Sequence, residues 1–133
     1  MDSSPSLYRI PQDDLAEKEV IGIIVATRYG YAQISGIVEA RDFYDLMHRR
    51  VFELVPILDA TPHVFDGVTL TEDWRISLLA SWSGWSASAL EDLVRLRTFS
   101  WDASVFARRV HAAGTDRRRV ETLETELAGL VGA

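Results

Sequence analysis

The side chains best suited to acid–base chemistry lie in one short run of the chain. His48 follows Asp45 by three residues and Asp42 by six. A histidine beside a carboxylate is the arrangement of a general base, because the carboxylate orients the ring. Such a base needs a nucleophile to activate, and the sequence has no cysteine and no Gly-x-Ser-x-Gly elbow. The pattern therefore favours a structural hydrogen bond for His48 over catalysis.

Nucleotide and metal chemistry lack their usual residues. A phosphate-binding loop combines glycine-rich backbone with a lysine that is followed by serine or threonine. The only lysine, Lys18, does not follow a glycine. The histidines His48, His63 and His111 are scattered, with no pair at helical spacing and no thiolate nearby, so a zinc site is not expected. We expect no enzyme activity, no ATP hydrolysis, no metal and no cofactor.

Two groups of side chains suggest binding to another macromolecule. An Arg cluster near the C-terminus is either a solvated helix face or a docking surface for an acidic partner or nucleic acid. It comprises Arg108, Arg109, Arg117, Arg118 and Arg119. The tryptophans offer base stacking as an alternative to a place in the core or an interface, with Trp85 in a Ser-Gly loop as the best candidate for exposure. A net charge of −6 disfavours nonspecific binding to a polyanion, so nucleic acid is the weaker alternative.

Apolar residues recur at helical spacing along most of the chain, and no strand pattern appears. The predicted fold is all-α, a compact bundle of five or six helices plus a C-terminal amphipathic helix. The predicted organisation is a flexible tail over residues 1–10, a helical domain over 11–113 and the amphipathic helix over 114–133. The length of 133 residues fits one domain with a real core.

Capping patterns set the expected limits of the first two helices. Asp14 and Glu17 have capping-box spacing, which predicts a first helix from there to about Thr27. Gly30 is a candidate stop. A short second helix is expected over residues 31–39.

The third helix is expected to start at Asp42, a good N-cap residue. Phe43 and Phe52 would then both lie on it. Pro56 interrupts the apolar pattern, so this helix either kinks there or ends near Val55.

The remaining helices follow from similar signals. Thr69 and Glu72 predict the start of a fourth helix lined by Leu70, Trp74, Leu78 and Trp82. A fifth helix is expected from Ser88, which pairs with Glu91 in a capping box, and a sixth from Asp102. Two alternatives stand for Gly114: it ends the sixth helix, or it lies inside a continuous one at a cost of about 1 kcal/mol relative to alanine.

A narrow apolar stripe marks the C-terminal segment. It consists of Val120, Leu123, Leu127 and Leu130, whose 3-4-3 spacing is typical of a coiled-coil seam. We refer to these four residues as the stripe. An exposed stripe of this kind is unfavourable in water, so it predicts burial against either the parent bundle or a partner helix, with a homodimer as the expected state.

Two sequence blocks carry a family resemblance. Residues 11–22 read PQDDLAEKEVIG, and residues 42–53 read DFYDLMHRRVFE. Both resemble motifs of the N-terminal domain of DnaB-family replicative DNA helicases, and residues 66–70 and 106–110 are weaker matches in the same order. The matched positions are Leu15, Glu17, Gly22, Asp42, Phe43, Tyr44, His48, Arg49 and Phe52.

The resemblance implies a non-enzymatic interaction module, because this domain of the helicase is not the motor. It implies self-association and contacts with a replicative helicase, primase or loader protein. It also implies that the matched residues are structural, His48 included. Small secreted domains usually carry disulfides, so the absence of cysteine predicts a cytoplasmic protein, and no apolar run predicts a membrane span.

Overall fold

The structure is a computed structural model that describes residues 10–60, 71–96 and 103–132. These residues form six α-helices and one 3-10 turn, with no strand among them, which confirms the all-α prediction. The α-helices are α1 (Asp14–Ala26), α2 (Arg28–Ile34), α3 (Leu46–Ala60), α4 (Glu72–Ser83), α5 (Ala87–Leu96) and α6 (Ser104–Gly132). The 3-10 turn, Ala40–Asp42, lies between α2 and α3.

Helix α1 is the centre of the bundle, because it packs against each of the other five α-helices. Its apolar residues are buried on almost every side, including Val20, Ile21, Ile24 and Val25, which have no exposed surface. A helix that is apolar all round is stable in water only when other elements surround it.

The start of α1 differs from the predicted capping box. Asp13, not Asp14, is the N-cap, and its carboxylate accepts a hydrogen bond from the amide of Ala16 at 3.1 Å. Glu17 does not reach back to the cap, because its buried carboxylate binds the chain just before α3. A long-range partner has therefore replaced the local one.

Helix α2 begins earlier than predicted and ends earlier. Thr27 caps it by accepting a hydrogen bond from the Tyr29 amide, and Gly30 lies inside the helix, not at a stop. The turn that follows contains Asp42, so the prediction that Asp42 caps α3 is wrong.

The cap of α3 is Asp45, whose carboxylate accepts hydrogen bonds from the amides of Met47 and His48. Phe43 consequently lies before α3, although it is fully buried. Of the two alternatives for Pro56, an end of the helix near Val55 is excluded, because α3 continues through the proline to Ala60. Val55 and Leu58 are buried on either side of the proline, so packing holds both parts of the helix against the core.

The predicted face of α4 is only partly correct. Of the residues predicted to line it, Leu78 and Trp82 pack against the core, whereas Trp74 is 57% exposed. Thr71 caps the helix, and its buried residues are Arg75, Ile76, Leu79 and Ser83. The predicted Thr69 and Leu70 lie outside the described residues. Arg75 lies on the buried side because it donates to carbonyl groups at the end of α1.

Gly84 separates α4 from α5. It ends α4 in the left-handed conformation, with φ of 78°, which glycine adopts without strain. Ser86, not Ser88, caps α5 by accepting a hydrogen bond from the Ala89 amide. Leu90, Leu93 and Val94 are buried on α5.

Helix α6 runs unbroken for 29 residues, which decides between the two alternatives for Gly114. A Cβ at that position would lie 2.7 Å from the Cα of Asp42, closer than real contacts allow. The glycine therefore permits a close approach between α6 and the 3-10 turn and does not end the helix. The limit predicted between residues 113 and 114 falls inside α6, and Asp102 lies outside the described residues.

Substitution of the buried Phe52 provides a test of the packing of α3. Its side chain is 5% exposed, and its ring centroid lies 5.0 Å from that of Phe43 and 5.3 Å from that of Tyr31. We expect Phe52→Ala to lower the free energy of unfolding by roughly 3–5 kcal/mol, measured by urea denaturation. The matched control, Tyr29→Ala, removes a ring that is 71% exposed and should change it by about 0.5 kcal/mol or less. Equal effects would contradict this packing.

Candidate interaction site

A buried carboxylate joins α1 to the start of α3. Glu17 is 2% exposed and accepts hydrogen bonds from the amides of Tyr44 at 2.8 Å and Asp45 at 3.2 Å. Its Oε1 atom also lies 2.9 Å from Nδ1 of His48. A buried carboxylate is costly unless hydrogen bonds replace its water, and here three groups do so. The two sequence blocks thus meet in space at this residue.

His48 is not placed for catalysis. Its side chain is 2% exposed, its Nδ1 faces Glu17, and the ring of Trp85 lies 5.8 Å away between centroids. The expected carboxylate partner, Asp45, instead binds backbone amides at the helix start. A general base must reach its substrate, and the side chain of His48 is enclosed by its own domain.

The other matched positions divide between core and surface. Gly22, Phe43 and Phe52 are buried, and Arg49 donates to the carbonyl of Phe43 at 2.9 Å. Tyr44 is 39% exposed. Leu15 is 53% exposed and therefore contributes little to the core.

A second buried carboxylate fastens α6 to the 3-10 turn. Asp42 has no exposed surface and accepts a hydrogen bond from the Glu39 amide at 2.8 Å. From α6, Nδ1 of His111 lies 3.0 Å from Oδ2 of Asp42, and Arg118 forms an ion pair with Oδ1 at 2.9 Å. Burial by itself raises the pKa of Asp42, but hydrogen bonds from Glu39, His111 and Arg118 outweigh it and hold the pKa below its ordinary value of 3.8.

Arg117 also anchors α6 to the rest of the chain, and its contacts correct the interpretation of the Arg cluster. It is 6% exposed and donates to the carbonyls of Pro11 at 3.1 Å and Asp42 at 3.0 Å. Its guanidinium also lies over the ring of Tyr44, 5.5 Å from the centroid. The interpretation of Arg117 as a docking residue is wrong, because the chain's own backbone occupies its donors.

The rest of the Arg cluster is also partly engaged. Arg109 forms two hydrogen bonds with the carboxylate of Asp13, and Arg118 binds Asp42. Arg108 and Arg119 are exposed. The five arginines therefore do not present one continuous basic surface.

Helix α6 has two halves with different surroundings. In the anchored half, residues 104–118, the buried positions Ala107, Val110, Gly114 and Arg117 share one face toward the bundle. In the projecting half, residues 119–132, every residue whose burial is described is exposed.

The stripe lies on the projecting half. Val120, Leu123, Leu127 and Leu130 are 37%, 52%, 61% and 76% exposed. At 100° per residue, the stripe points roughly 140° around the helix axis from the face that packs on the bundle. The stripe therefore faces away from the chain's own core and is open to a partner from outside.

Sequence reasoning missed two long-range interactions. Arg75 is 3% exposed, donates to the carbonyls of Ile24 and Val25 and pairs with Asp59. Only its position between two apolar residues, Trp74 and Ile76, hints at burial. The pairing of His111 with Asp42, across 69 positions, has no local signal.

Metal binding and membrane crossing find no support among the described residues. They contain no group of histidines and carboxylates arranged to hold a metal ion. Within the described ranges, no helix combines the length and apolar character required to cross a membrane. Trp85, predicted as the exposed tryptophan, is half-buried, whereas Trp74 is exposed and Trp101 lies outside the described residues.

Stability should fall in acid because of Asp42. Its folded pKa is lowered, so the unfolded state binds more protons and stability rises with pH. The contribution is fully present above pH 3.8 and is lost as the pH falls through the lower folded pKa. In urea denaturation at several pH values, the difference in the free energy of unfolding between wild type and Asp42→Asn should shrink as the pH falls below 3.8. A difference that stays constant down to the lowest pH would contradict the role of Asp42.

Arg117 provides a test of the fastening of α6. Arg117→Met keeps much of the side chain's volume but removes the donors to Pro11 and Asp42. We expect a loss of roughly 2–4 kcal/mol in the free energy of unfolding, because buried carbonyls lose charged donors. Arg108→Met, at an exposed position of the anchored half of α6, should change it by about 0.5 kcal/mol or less. Similar values for both variants would refute the anchoring role.

Comparison with known proteins places this architecture in a family. The family model described as DnaB-like helicase N terminal domain matches residues 9–110. A solved structure, the N-terminal domain of DnaB helicase from Mycobacterium tuberculosis, is similar with a TM-score of 0.73 and 24% sequence identity. The alignment covers 94% of this chain and 89% of that chain. No curated protein matches in sequence. The chain belongs to the DnaB-like helicase N-terminal domain family.

Proposed function

We propose that this chain is a non-enzymatic protein-interaction module of DNA replication that self-associates through the projecting half of α6. Membership of the helicase N-terminal domain family supports the link to replication. The matched region is a helical domain distinct from the ATPase motor, and the side chain of His48 is buried against Glu17 and is not accessible to a substrate.

The observation that carries the proposal is the exposed stripe. Leu123, Leu127 and Leu130 are each more than half exposed and lie on one face of a helix that has left its bundle. Apolar side chains aligned in this way gain free energy when a second helix covers them. Four residues at 3-4-3 spacing fit another helix better than a flat surface.

Further partners follow from the family resemblance. We propose a replicative helicase, a primase or a loader protein as binding partners, with the same face of α6 or the bundle surface as the contact. A cytoplasmic location stays a prediction that rests on the absence of cysteine.

Nucleic-acid binding through the Arg cluster remains the weaker alternative. Arg109 is exposed but paired with Asp13, and Arg117 and Arg118 bind groups within the chain. Arg108 and Arg119 are the exposed members that form no ion pair among the described residues. Two such cations on a chain of net charge −6 give little attraction for a phosphate backbone.

The stripe can be tested by placing charges on it. We expect the wild type to be a dimer at micromolar concentration and the double variant Leu123→Asp with Leu127→Asp to be a folded monomer, because burying unpaired carboxylates is costly. Light scattering after size-exclusion chromatography reports the mass, and circular dichroism the fold.

The matched control is Thr122→Asp with Thr125→Asp. These residues are exposed on other faces of the same helical turns, so this variant should remain dimeric. A monomeric wild type at high concentration, or a stripe variant that stays dimeric, would contradict self-association through the stripe.

A further inference from the structure

A second apolar surface is exposed on the bundle, away from the stripe. Ile57 on α3 and Trp74 on α4 are each 57% exposed. Single exposed apolar residues are common, but two large ones beside half-buried apolar neighbours form a patch that a partner can cover. Among the described residues, α6 packs against α1, α2 and the 3-10 turn and contacts neither α3 nor α4. The patch is therefore separate from the stripe.

The two exposed residues lie close together because α3 and α4 run antiparallel. At one end of the pair, Arg50 donates to backbone carbonyls in the last turn of α4. At the other end, Asp59 of α3 forms an ion pair with Arg75 of α4. Asp59 follows Ile57 by two positions, and Arg75 directly follows Trp74. The side chains of Ile57 and Trp74 therefore belong to neighbouring turns of the two helices.

Half-buried apolar residues join the two exposed ones. On α4, Leu78 and Trp82 follow Trp74 by four and eight positions and therefore lie along one side of the helix. They also follow Arg75, whose guanidinium reaches α3, by three and seven positions, so this side is turned towards α3. On α3, the half-buried Leu54 lies one turn before the exposed isoleucine. We refer to the following residues as the α3–α4 face: Leu54, Ile57, Trp74, Leu78 and Trp82.

Acidic side chains border the α3–α4 face. Glu53 on α3 and Asp73 on α4 are exposed and form no ion pair among the described residues, and Glu72 is a third exposed carboxylate. The nearby cations are engaged: Arg75 is buried in its ion pair, and the exposed Arg50 donates to backbone carbonyls. The border is therefore mainly negative, on a chain whose net charge is −6.

This combination fits a partner helix that is apolar on one side and basic on its flanks. Two antiparallel helices leave a groove into which the side-chain ridge of a third helix packs. Tryptophan is among the residue types that most often carry the binding energy of an interface. Lysine or arginine beside the partner's apolar side would meet Glu53 and Asp73, and the net negative charge would attract such a partner from a distance.

A second copy of this chain is a poor occupant of the α3–α4 face. A symmetric contact through the face would bring the carboxylates of Glu53, Glu72 and Asp73 towards those of the second copy. Like charges held close across an interface oppose association. The charge of the border therefore selects a partner of opposite charge.

We infer that the α3–α4 face binds a basic amphipathic helix of another protein, with Trp74 as the anchor. This inference goes beyond the self-association proposed above and does not depend on it, because α6 contacts neither of the two helices.

The experiment adds the full chain to a fluorescently labelled synthetic helix and follows the fluorescence anisotropy. The probe has about four helical turns, with leucine at helical spacing on one side and lysine on both flanks. A second peptide has the same leucines and glutamate in place of lysine. We expect the basic peptide to bind in the micromolar range and the acidic peptide to bind roughly tenfold more weakly or less. No binding of the basic peptide, or equal binding of both peptides, would overturn the inference.

Two variants locate the binding surface. Trp74→Ala should raise the Kd of the basic peptide roughly tenfold, as expected for loss of an anchor. The matched control Tyr29→Ala removes another exposed ring, on α2, and should leave the Kd within about twofold of the wild type. Both substitutions affect exposed side chains, and circular dichroism should show both variants folded. Equal Kd values for the two variants would show that Trp74 is not the anchor.

The stripe is the other apolar surface that the peptide could bind. Leu123→Asp with Leu127→Asp should leave the peptide Kd within about twofold, since the stripe lies on a different helix. Loss of peptide binding in this double variant would place the peptide on the stripe and overturn the inference. So would a loss of the wild-type dimer in Trp74→Ala, measured by light scattering, because a second copy would then occupy the face. A monomeric wild type that binds the peptide through Trp74 would refute the proposed self-association alone.

The charge of the border has its own readout. Glu53→Lys with Asp73→Lys should weaken binding of the basic peptide and strengthen binding of the acidic one, each roughly fivefold. The reversal separates charge pairing from general damage to the face, which would weaken both peptides. A double variant that loses the basic peptide without gaining the acidic one would contradict the electrostatic selection of the partner.

Discussion

The buried carboxylate of Glu17 is the interaction on which the rest of the structure depends. From the first turn of α1 it binds the amides of Tyr44 and Asp45 and the ring of His48, which lie 27 to 31 positions away along the chain. These contacts fix the segment between the 3-10 turn and α3. A carboxylate at this depth tolerates few arrangements, because each lost hydrogen bond leaves a costly buried charge. The geometry of the turn is therefore specified by polar groups and not only by apolar packing.

The position of α6 follows from that turn. Once the turn is fixed, Asp42 presents its carboxylate to His111 and Arg118, and its backbone carbonyl to Arg117. Gly114 removes the side chain that would keep the two backbones apart. Helix α6 thus acquires a rigid base while its second half carries apolar residues away from the bundle. A helix fastened at one end by polar contacts can present its other end to a partner with little further loss of entropy on binding.

Several residues that invite a functional interpretation turn out to be structural. His48 with its neighbouring carboxylates resembles a general base, and the Arg cluster resembles a basic surface. In the structure, His48 contacts Glu17, Arg109 donates to Asp13, and Arg117 donates to backbone carbonyls. The residues proposed to act in binding are instead the aliphatic side chains of the stripe, which the described residues leave exposed.

Local spacing in the sequence was sufficient for the all-α class and the position of the stripe, because helical periodicity acts over a few residues. It also sufficed for the family, whose motifs are short and contiguous. The burial of Asp42, the buried face of α4, the unbroken α6 and the burial of Arg75 and Arg117 were decided by the tertiary structure. Each depends on a partner far away in the chain, such as Asp42 for Gly114 or the end of α1 for Arg75. A polar group takes the partner that replaces its lost water when it is buried, and only the folded chain brings such partners together.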